Sequence, residues 1–515
     1  MTVEARIAAS HTSASISFYT HTRGPIHLTL KEGEPHPLLS LQTTKTLPEG
    51  GGYSGQFVLQ LLWTHDLSSR FPGEDWLDVL DDDDWIVIEF NTGATFATEW
   101  IGSVDGIQKT ENVGADGDIV RRYTVHGRDF GKIIDDSIIW FNPWGENANV
   151  VGNRMFALMG YKPINGSPDV ICKLFVETLL RAQANTPGVV PWVLPPEFGT
   201  DFGVGGGSPT SGDLLDTVSG IAPGGLRGEG WDVVSMAADT YSLGQELAGW
   251  SNSLINELFF DLRPSNDPRY RRDMRPTMVM REKPFPVLPD ARSRFVEVPA
   301  GVAATNVADP WSSVATHTLP RSLLRSASTS RSGSGRYNTF ILMSTSSPLV
   351  VFDQYAESPA IFFNESVKRH GMKKWEQQTR YHGNMTTVLR NAELRRWLYL
   401  LTCWHGIDAD LLTGTRTFVG AYPEIRIGMR LIIGESDQDP KRETFYITGK
   451  QLSWEYPNVP TTTFLLSRGY KGADENLYKL LREFLNGMEA GTRKHFFPIA
   501  TRKVAPPRTD DGSRK

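Results

Sequence analysis

Alternation of apolar and polar positions dominates the chain between residues 16 and 126. Ser15-Ile-Ser-Phe-Tyr-Thr20, Pro25-Ile-His-Leu-Thr-Leu30 and Gln56-Phe-Val-Leu-Gln-Leu-Leu-Trp63 are β-rich runs with turn residues between them. Trp85-Ile-Val-Ile-Glu-Phe90 follows a turn of four aspartates, and Trp100-Ile-Gly-Ser-Val-Asp-Gly-Ile107 and Ile119-Val-Arg-Arg-Tyr-Thr-Val-His126 complete the set. Strands this short and this regularly spaced predict a barrel or a sandwich.

From about residue 137 the period lengthens. Pro168 to Ala182 reads as a helix with proline in its first turn and apolar residues at three- and four-residue steps. A Gly/Pro-rich passage follows near 203–225, and a second helix is expected from about Ser242 to Leu258. Asn256-Glu-Leu-Phe-Phe-Asp-Leu-Arg-Pro264 and Thr277-Met-Val-Met-Arg281 form a hairpin pattern with a long turn, and residues 321–336, rich in Ser, Arg and Gly, read as a linker or mobile loop. Residues 337–470 are again β-rich, interrupted by one helix from roughly Thr387 to Trp404. A last helix carries Leu477, Leu480, Leu481, Phe484, Leu485 and Met488 on one face.

The two β-rich regions repeat one another. Trp85-Ile-Val-Ile88 sets beside Arg430-Leu-Ile-Ile433. Glu99-Trp-Ile-Gly-Ser-Val-Asp-Gly-Ile then matches Thr444-Phe-Tyr-Ile-Thr-Gly-Lys-Gln-Leu, and Arg122-Tyr-Thr-Val-His-Gly-Arg-Asp matches Thr463-Phe-Leu-Leu-Ser-Arg-Gly-Tyr. Order and spacing agree although identity is low, which points to an internal duplication.

Composition narrows the function. A length of 515 residues implies several domains. A net charge of -6 argues against a dedicated nucleic-acid binder, whose affinity would rest on a basic face. No run approaches the ~18 apolar residues of a membrane span, and the first residues lack the basic-then-apolar order of a secretion signal. Two cysteines, Cys172 and Cys403, suit a reducing compartment rather than a disulfide framework.

Candidate chemistry is sparse. His126, Arg128 and Asp129 cluster, but each has a structural role at the end of a strand. Tyr123 and Val125 share one face, Thr124 and His126 the other. Gly127 permits unusual dihedrals, and Asp129 is placed to cap a short helix over Phe130 to Asp135. Asp81-Asp-Asp-Asp84 lacks calcium-loop spacing and reads as a solvated turn. Cys403 and His405 lack a second zinc ligand pair and read as packing residues. Gly203 to Gly207 lacks the Lys-Ser/Thr of a phosphate loop. No catalytic, cofactor-binding or metal residues are expected, and no cofactor.

Four passages resemble the central baseplate hub proteins of contractile-tailed bacteriophages, related to the late control D family. They are Trp85–Phe90 with Ile101-Gly-Ser-Val-Asp and Val125-His-Gly-Arg-Asp129; Trp250–Pro264 with Arg281-Glu-Lys-Pro-Phe285; Ser332-Gly-Ser-Gly-Arg-Tyr-Asn-Thr-Phe340; and Gly414–Gly428 with Phe445-Tyr-Ile-Thr and Ser467-Arg-Gly469. The resemblance covers roughly residues 50–470. It implies an α+β, mainly β chain with two tube-like antiparallel β-barrel domains, an inserted helical α+β region, and a C-terminal helix and tail. The corresponding expectation is a first barrel over 1–137, an inserted domain over 138–320, a second barrel over 321–470, and a docking helix and tail over 471–515. From residue 493 that tail carries seven Lys/Arg against Asp510 and Asp511, with Phe496 and Phe497, as in segments that order against a partner.

The family's role implies a homotrimer that joins a hexameric tail tube, or its initiator, to a trimeric central spike. Baseplate wedge proteins surround it, and genomic DNA passes through without specific binding. Such a protein is made in the host cytoplasm and resides in the virion. The alternatives are a tail-associated peptidoglycan hydrolase, which needs a convergent pair of carboxylates or a metal, and a carbohydrate- or receptor-binding tail-tip protein, for which 14 tryptophans and 15 tyrosines give mild support.

Overall fold

The computed structural model describes residues 13–136, 241–288, 310–344, 359–379 and 387–492, apart from short breaks at 21–22, 32–35, 49–51, 92–94, 114–118, 265–273 and 436–438, together with a few short pieces between 138 and 232. The N-terminal lobe holds β1 (Ser13–Thr20), β2 (Gly24–Lys31), β3 (Leu38–Thr46), β4 (Gln56–Leu61), β5 (Trp85–Asn91), β6 (Phe96–Val113) and β7 (Ile119–Asp129), all paired antiparallel in the order β3-β4-β7-β6-β5-β1-β2. Short strands follow: β8 (Ile138–Ile139) pairs with β12 (Tyr241–Ser242), and β9 (Ile164–Gly166) with β11 (Gly230–Asp232). β13 (Asn256–Pro264) and β14 (Met274–Glu282) form the expected hairpin, with β10 (Asp216–Val218) parallel to β14.

The C-terminal lobe contains β15 (Thr316–Leu319), β16 (Leu324–Ser330), β20 (Leu412–Val419), β21 (Arg430–Ile433), β22 (Glu443–Glu455) and β23 (Thr461–Lys471). Between its strands lie β17 (Thr339–Ser344), β18 (Pro359–Phe363) and β19 (Lys374–Thr379). With the final β24 (Met488–Thr492) these form a separate sheet in the order β19-β17-β18-β24. The two lobes are one sheet of thirteen strands among the described residues, because β3 pairs with β22.

The duplication is present in the ladders. The order β5-β6-β7-β4-β3 recurs as β21-β22-β23-β20-β16. A bulge between Val104 and Gly106 in β6 recurs between Ile447 and Gly449 in β22, and one between Leu38 and Ser40 in β3 recurs between Leu324 and Ser326 in β16. Asp83 and Gly428 both take left-handed backbone, at φ 67° and 72°, and donate their N–H to Val104 and Ile447 respectively. These matches pair Trp85 with Arg430, as the sequence pattern does. They also pair Gly106 with Gly449 and Thr124 with Thr463, two residues away from the pattern's alignment of the second and third strands. A slip of two keeps every side chain on its face, so alternation alone does not detect it.

Each lobe curls around its own apolar face. Ile26 of β2 and Leu41 of β3, at opposite ends of the strand order, share a core with Phe57, Trp76, Ile88, Trp100 and Val125. The other lobe packs Phe418, Leu431, Phe445, Ile447 and Phe464 together. Among the described residues no ladder closes either lobe into the expected barrel; the edge of β3 that would face β2 is taken by β22. A further layer, with the helices Leu243–Trp250, Thr387–His405 and Asp474–Leu485, packs on the lobes through Leu247, Trp397, Leu401, Leu477 and Leu481.

Three expectations need correction. The helix expected to reach Leu258 ends at Trp250, because Asn252 takes φ 52° and the chain enters β13. The stretch 321–336 is not a linker: it contains β16, whose residues from Arg325 to Ser330 are all exposed, so it carries no period-two signal. Gly127 lies inside β7 without unusual dihedrals; a Cβ there would stand 2.0 Å from the Ser103 carbonyl oxygen and 2.6 Å from the Phe57 ring. The run Gly203–Gly207, almost all of 168–182, and the tail from 493 lie outside the described residues.

Gly127 pairs with both Phe57 and Val104, so neither neighbouring strand can retreat alone. Gly127→Ala should therefore destabilise by about 1–3 kcal/mol or more, as overpacking does. Gly333→Ala, at a site where a Cβ meets nothing within 4 Å, should leave the urea midpoint unchanged.

Candidate assembly site: the seam between the two lobes

The seam is built from seven antiparallel pairs, Gly449–Glu455 against Thr46–Ser40, with Lys450 opposite Lys45, Leu452 opposite Thr43 and Trp454 opposite Leu41. It is extended at both ends by Leu47 N–H donating to the Thr448 carbonyl at 2.7 Å and Tyr456 N–H to the Leu39 carbonyl at 3.0 Å. Leu452 and Trp454 cross into the core of the N-terminal lobe, where Trp454 packs on Phe90 at 5.5 Å between ring centroids.

Two lysines directly opposite one another would repel. Each instead points to its own acceptors. Lys45 is ion-paired with Asp129 and donates to the Tyr53 carbonyl at 2.6 Å. Lys450 donates to Glu99 Oε2 at 2.8 Å and to the Tyr422 carbonyl at 2.7 Å. Glu99 is the extra residue of a bulge in β6, where the register jumps from Ile88–Trp100 to Glu89–Thr98. A bulge re-aims a side chain and frees backbone groups. Here Glu99 meets Lys450 of the other lobe, and Arg426 donates to the carbonyls of Glu99 and Thr98 at 2.8 and 2.6 Å.

All five charged side chains are buried. Burial pulls the Lys450 ammonium below the usual lysine range, with Glu99 offsetting part of that shift, and burial pushes the Asp129 carboxyl above the usual carboxylate range against the pull of Lys45. In both cases desolvation exceeds attraction, so these charges specify the register of the seam more than they strengthen it. The cleft between them measures about 20 Å³, room for about one water.

The residues singled out by sequence do not converge on a catalytic arrangement. His126 is exposed on β7. Arg128 clamps Asp105 at 2.8 Å and Asp136 at 2.6 Å, and Asp129 accepts from Gly131 N–H at 2.9 Å besides holding Lys45. In the Asp81–Asp84 turn, Asp84 accepts from Asp81 N–H at 2.8 Å, and Asp83 pairs with Lys132 at 2.6 Å. Cys403 is buried. His405 stacks on Trp375 at 5.3 Å and sits 3.2 Å from Asp408, with burial holding its pKa down. Among the described residues no three His, Cys, Asp or Glu side chains group as metal ligands.

Sequence reading missed Lys283. It lines a cleft of about 930 Å³ with Glu257, Trp404 and Arg468, and burial lowers its pKa to about 8 although Glu257 opposes the shift.

Glu99→Ala leaves Lys450 buried without its carboxylate and should cost about 3–5 kcal/mol in urea unfolding. Glu99→Leu with Lys450→Met should cost far less than the single changes together; additive losses would contradict a register role. For Lys283, a folded pKa below the unfolded one means that the folded state is penalised below pH ~8 and relieved as pH rises toward the ordinary lysine value. Lys283→Met should raise Tm at pH 7, with the gain shrinking as pH increases through 8 to 10.

No family model matches the chain, and no curated protein matches it. The chain is similar to solved structures that include the tail protein from Neisseria meningitidis (10% identity, TM-score 0.41, covering 88% of this chain and 96% of that one). The 43 kDa tail protein of prophage MuSo2 from Shewanella oneidensis is similar at 9% identity and TM-score 0.44, covering 89% and 97%. Prophage tail protein gp18 from Listeria monocytogenes is similar at 10% identity and TM-score 0.40, covering 92% and 100%.

Proposed function

We propose that the chain is a structural hub of a phage tail: a homotrimeric adaptor between a hexameric tail tube and a trimeric central spike, around an open channel for DNA. The observation that carries this reading is the duplicated five-strand unit, with matching bulges, sewn edge to edge within one chain. Three chains would present six such units, which is what a sixfold neighbour needs, while the chains themselves keep threefold order. In this reading the partners are a second and third copy, the tube or tube-initiator protein, the spike and the wedge proteins. The protein acts without catalysis and resides in the virion. An overall charge of -6 suits a channel wall that lets DNA pass without holding it.

Light scattering on the purified protein should give three times the 57.4 kDa chain mass, and electron microscopy a ring with an open centre. A monomer at all concentrations, or a ring lined by a dense basic stripe, would overturn the proposal.

A further inference from the structure

The duplication leaves one equivalence unfilled. In the C-terminal lobe the arm of β22 beyond the bulge at Gly449 pairs with β23 on one side and β3 on the other. In the N-terminal lobe the matching arm of β6, beyond the bulge at Gly106, pairs with β7 on one side only, among the described strands. The counterpart of β3 is β16, which pairs with β20 on one side and, among the described residues, with no strand on the other. Each chain therefore carries both halves of a second seam, on different lobes.

We infer that β16 of one copy pairs antiparallel with the β6 arm of the next, repeating between chains the seam that joins the lobes within a chain. This inference rests on the homo-oligomeric reading above and adds the surface and its register. Carrying the β3–β22 ladder onto the matching strands places Ser330 opposite Gln108, Ser328 opposite Thr110 and Ala327 opposite Glu111.

The backbone directions agree. In the existing seam Leu47 and Leu39 of the β3 side bond to Thr448 and Tyr456 of the β22 side. The matching residues that turn their backbone groups outward are then Ala327, Thr329 and Arg331 on β16, and Ile107, Lys109 and Glu111 on β6, which this register sets opposite one another. A second observation supports the surface. The end of the β6–β7 arm exposes Val113 (73%), Ile119 (56%) and Val120 (41%), an apolar patch that contact with another chain would cover. A head-to-tail contact of this kind forms a ring when its rotation closes and an open filament when it does not, and the homotrimer proposed above requires the ring.

Cysteine pairs test the register in the full-length chain. Thr110→Cys with Ser328→Cys falls at a site without mutual backbone bonds, where strand Cα atoms approach to about 4.5 Å, within disulfide reach. Mild oxidation should link chains to one another through this pair, and through Gln108→Cys with Ser330→Cys. Thr110→Cys with Ser330→Cys, displaced by two residues, should link at least tenfold more slowly. Ala327→Pro removes one outward N–H from an edge strand and should dissociate the oligomer while leaving the circular dichroism spectrum unchanged. A trimer that forms without in-register linkage and survives Ala327→Pro would overturn this seam and leave the hub reading standing. A protein that stays monomeric and unlinked would overturn both.

Discussion

A strand edge presents backbone donors and acceptors that must be bonded by something, and the structure depends on how the edge of β3 is covered. Pairing with β22 takes the place that β2 would need, and among the described residues no ladder joins β2 to β3. The same pairing turns two curled lobes into one sheet and carries Leu452 and Trp454 into the core of the opposite lobe. One ladder therefore occupies the open edge of the N-terminal lobe and sets the relation between the two lobes.

The chemistry at this ladder is unusual for a core. Lys45, Lys450, Glu99, Asp129 and Arg426 are all buried and line one small cleft. Apolar residues of similar volume would cost less desolvation, but they would accept a slipped register. A lysine shifted by two residues would lose its carboxylate and leave a buried charge unpaired, at a cost of several kcal/mol. A slip of two keeps every side chain on its face, so alternation alone does not forbid it, and the bulge at Glu99 aims the carboxylate at Lys450 in the observed register.

The third layer holds the C-terminal lobe by similar means. Arg281 donates to Glu257 at 2.5 Å and to the Tyr446 hydroxyl at 3.1 Å, tying the β13–β14 hairpin to β22. Arg468, at the end of β23, bonds to the Trp404 carbonyl at 3.0 Å and lies 3.7 Å over the Trp404 ring. Arginine suits these places because one planar group can stack and donate in several directions at once.

The sequence by itself determined the strands that bury one face, such as β4, β7 and β23, the long helix from Thr387, and the existence of the duplication. In these strands the period is written in apolar residues: Tyr123 and Val125 are buried as their alternation requires. It did not reveal β3 or β16, which are counterparts of one another. β3 mixes Leu with Ser, Thr, Gln and Lys because its face lies at a polar seam, and β16 shows no buried alternate position. Gly127 was legible as special but not why; the answer is a carbonyl from Ser103, distant in sequence. Nor could sequence foresee that Asp129 would hold Lys45 or that Glu99 would hold Lys450 across 351 positions. Local pattern records what a residue's own face buries. Which edge meets which, and which charge finds a partner, depends on contacts between segments far apart in the chain, and only the tertiary structure decided those.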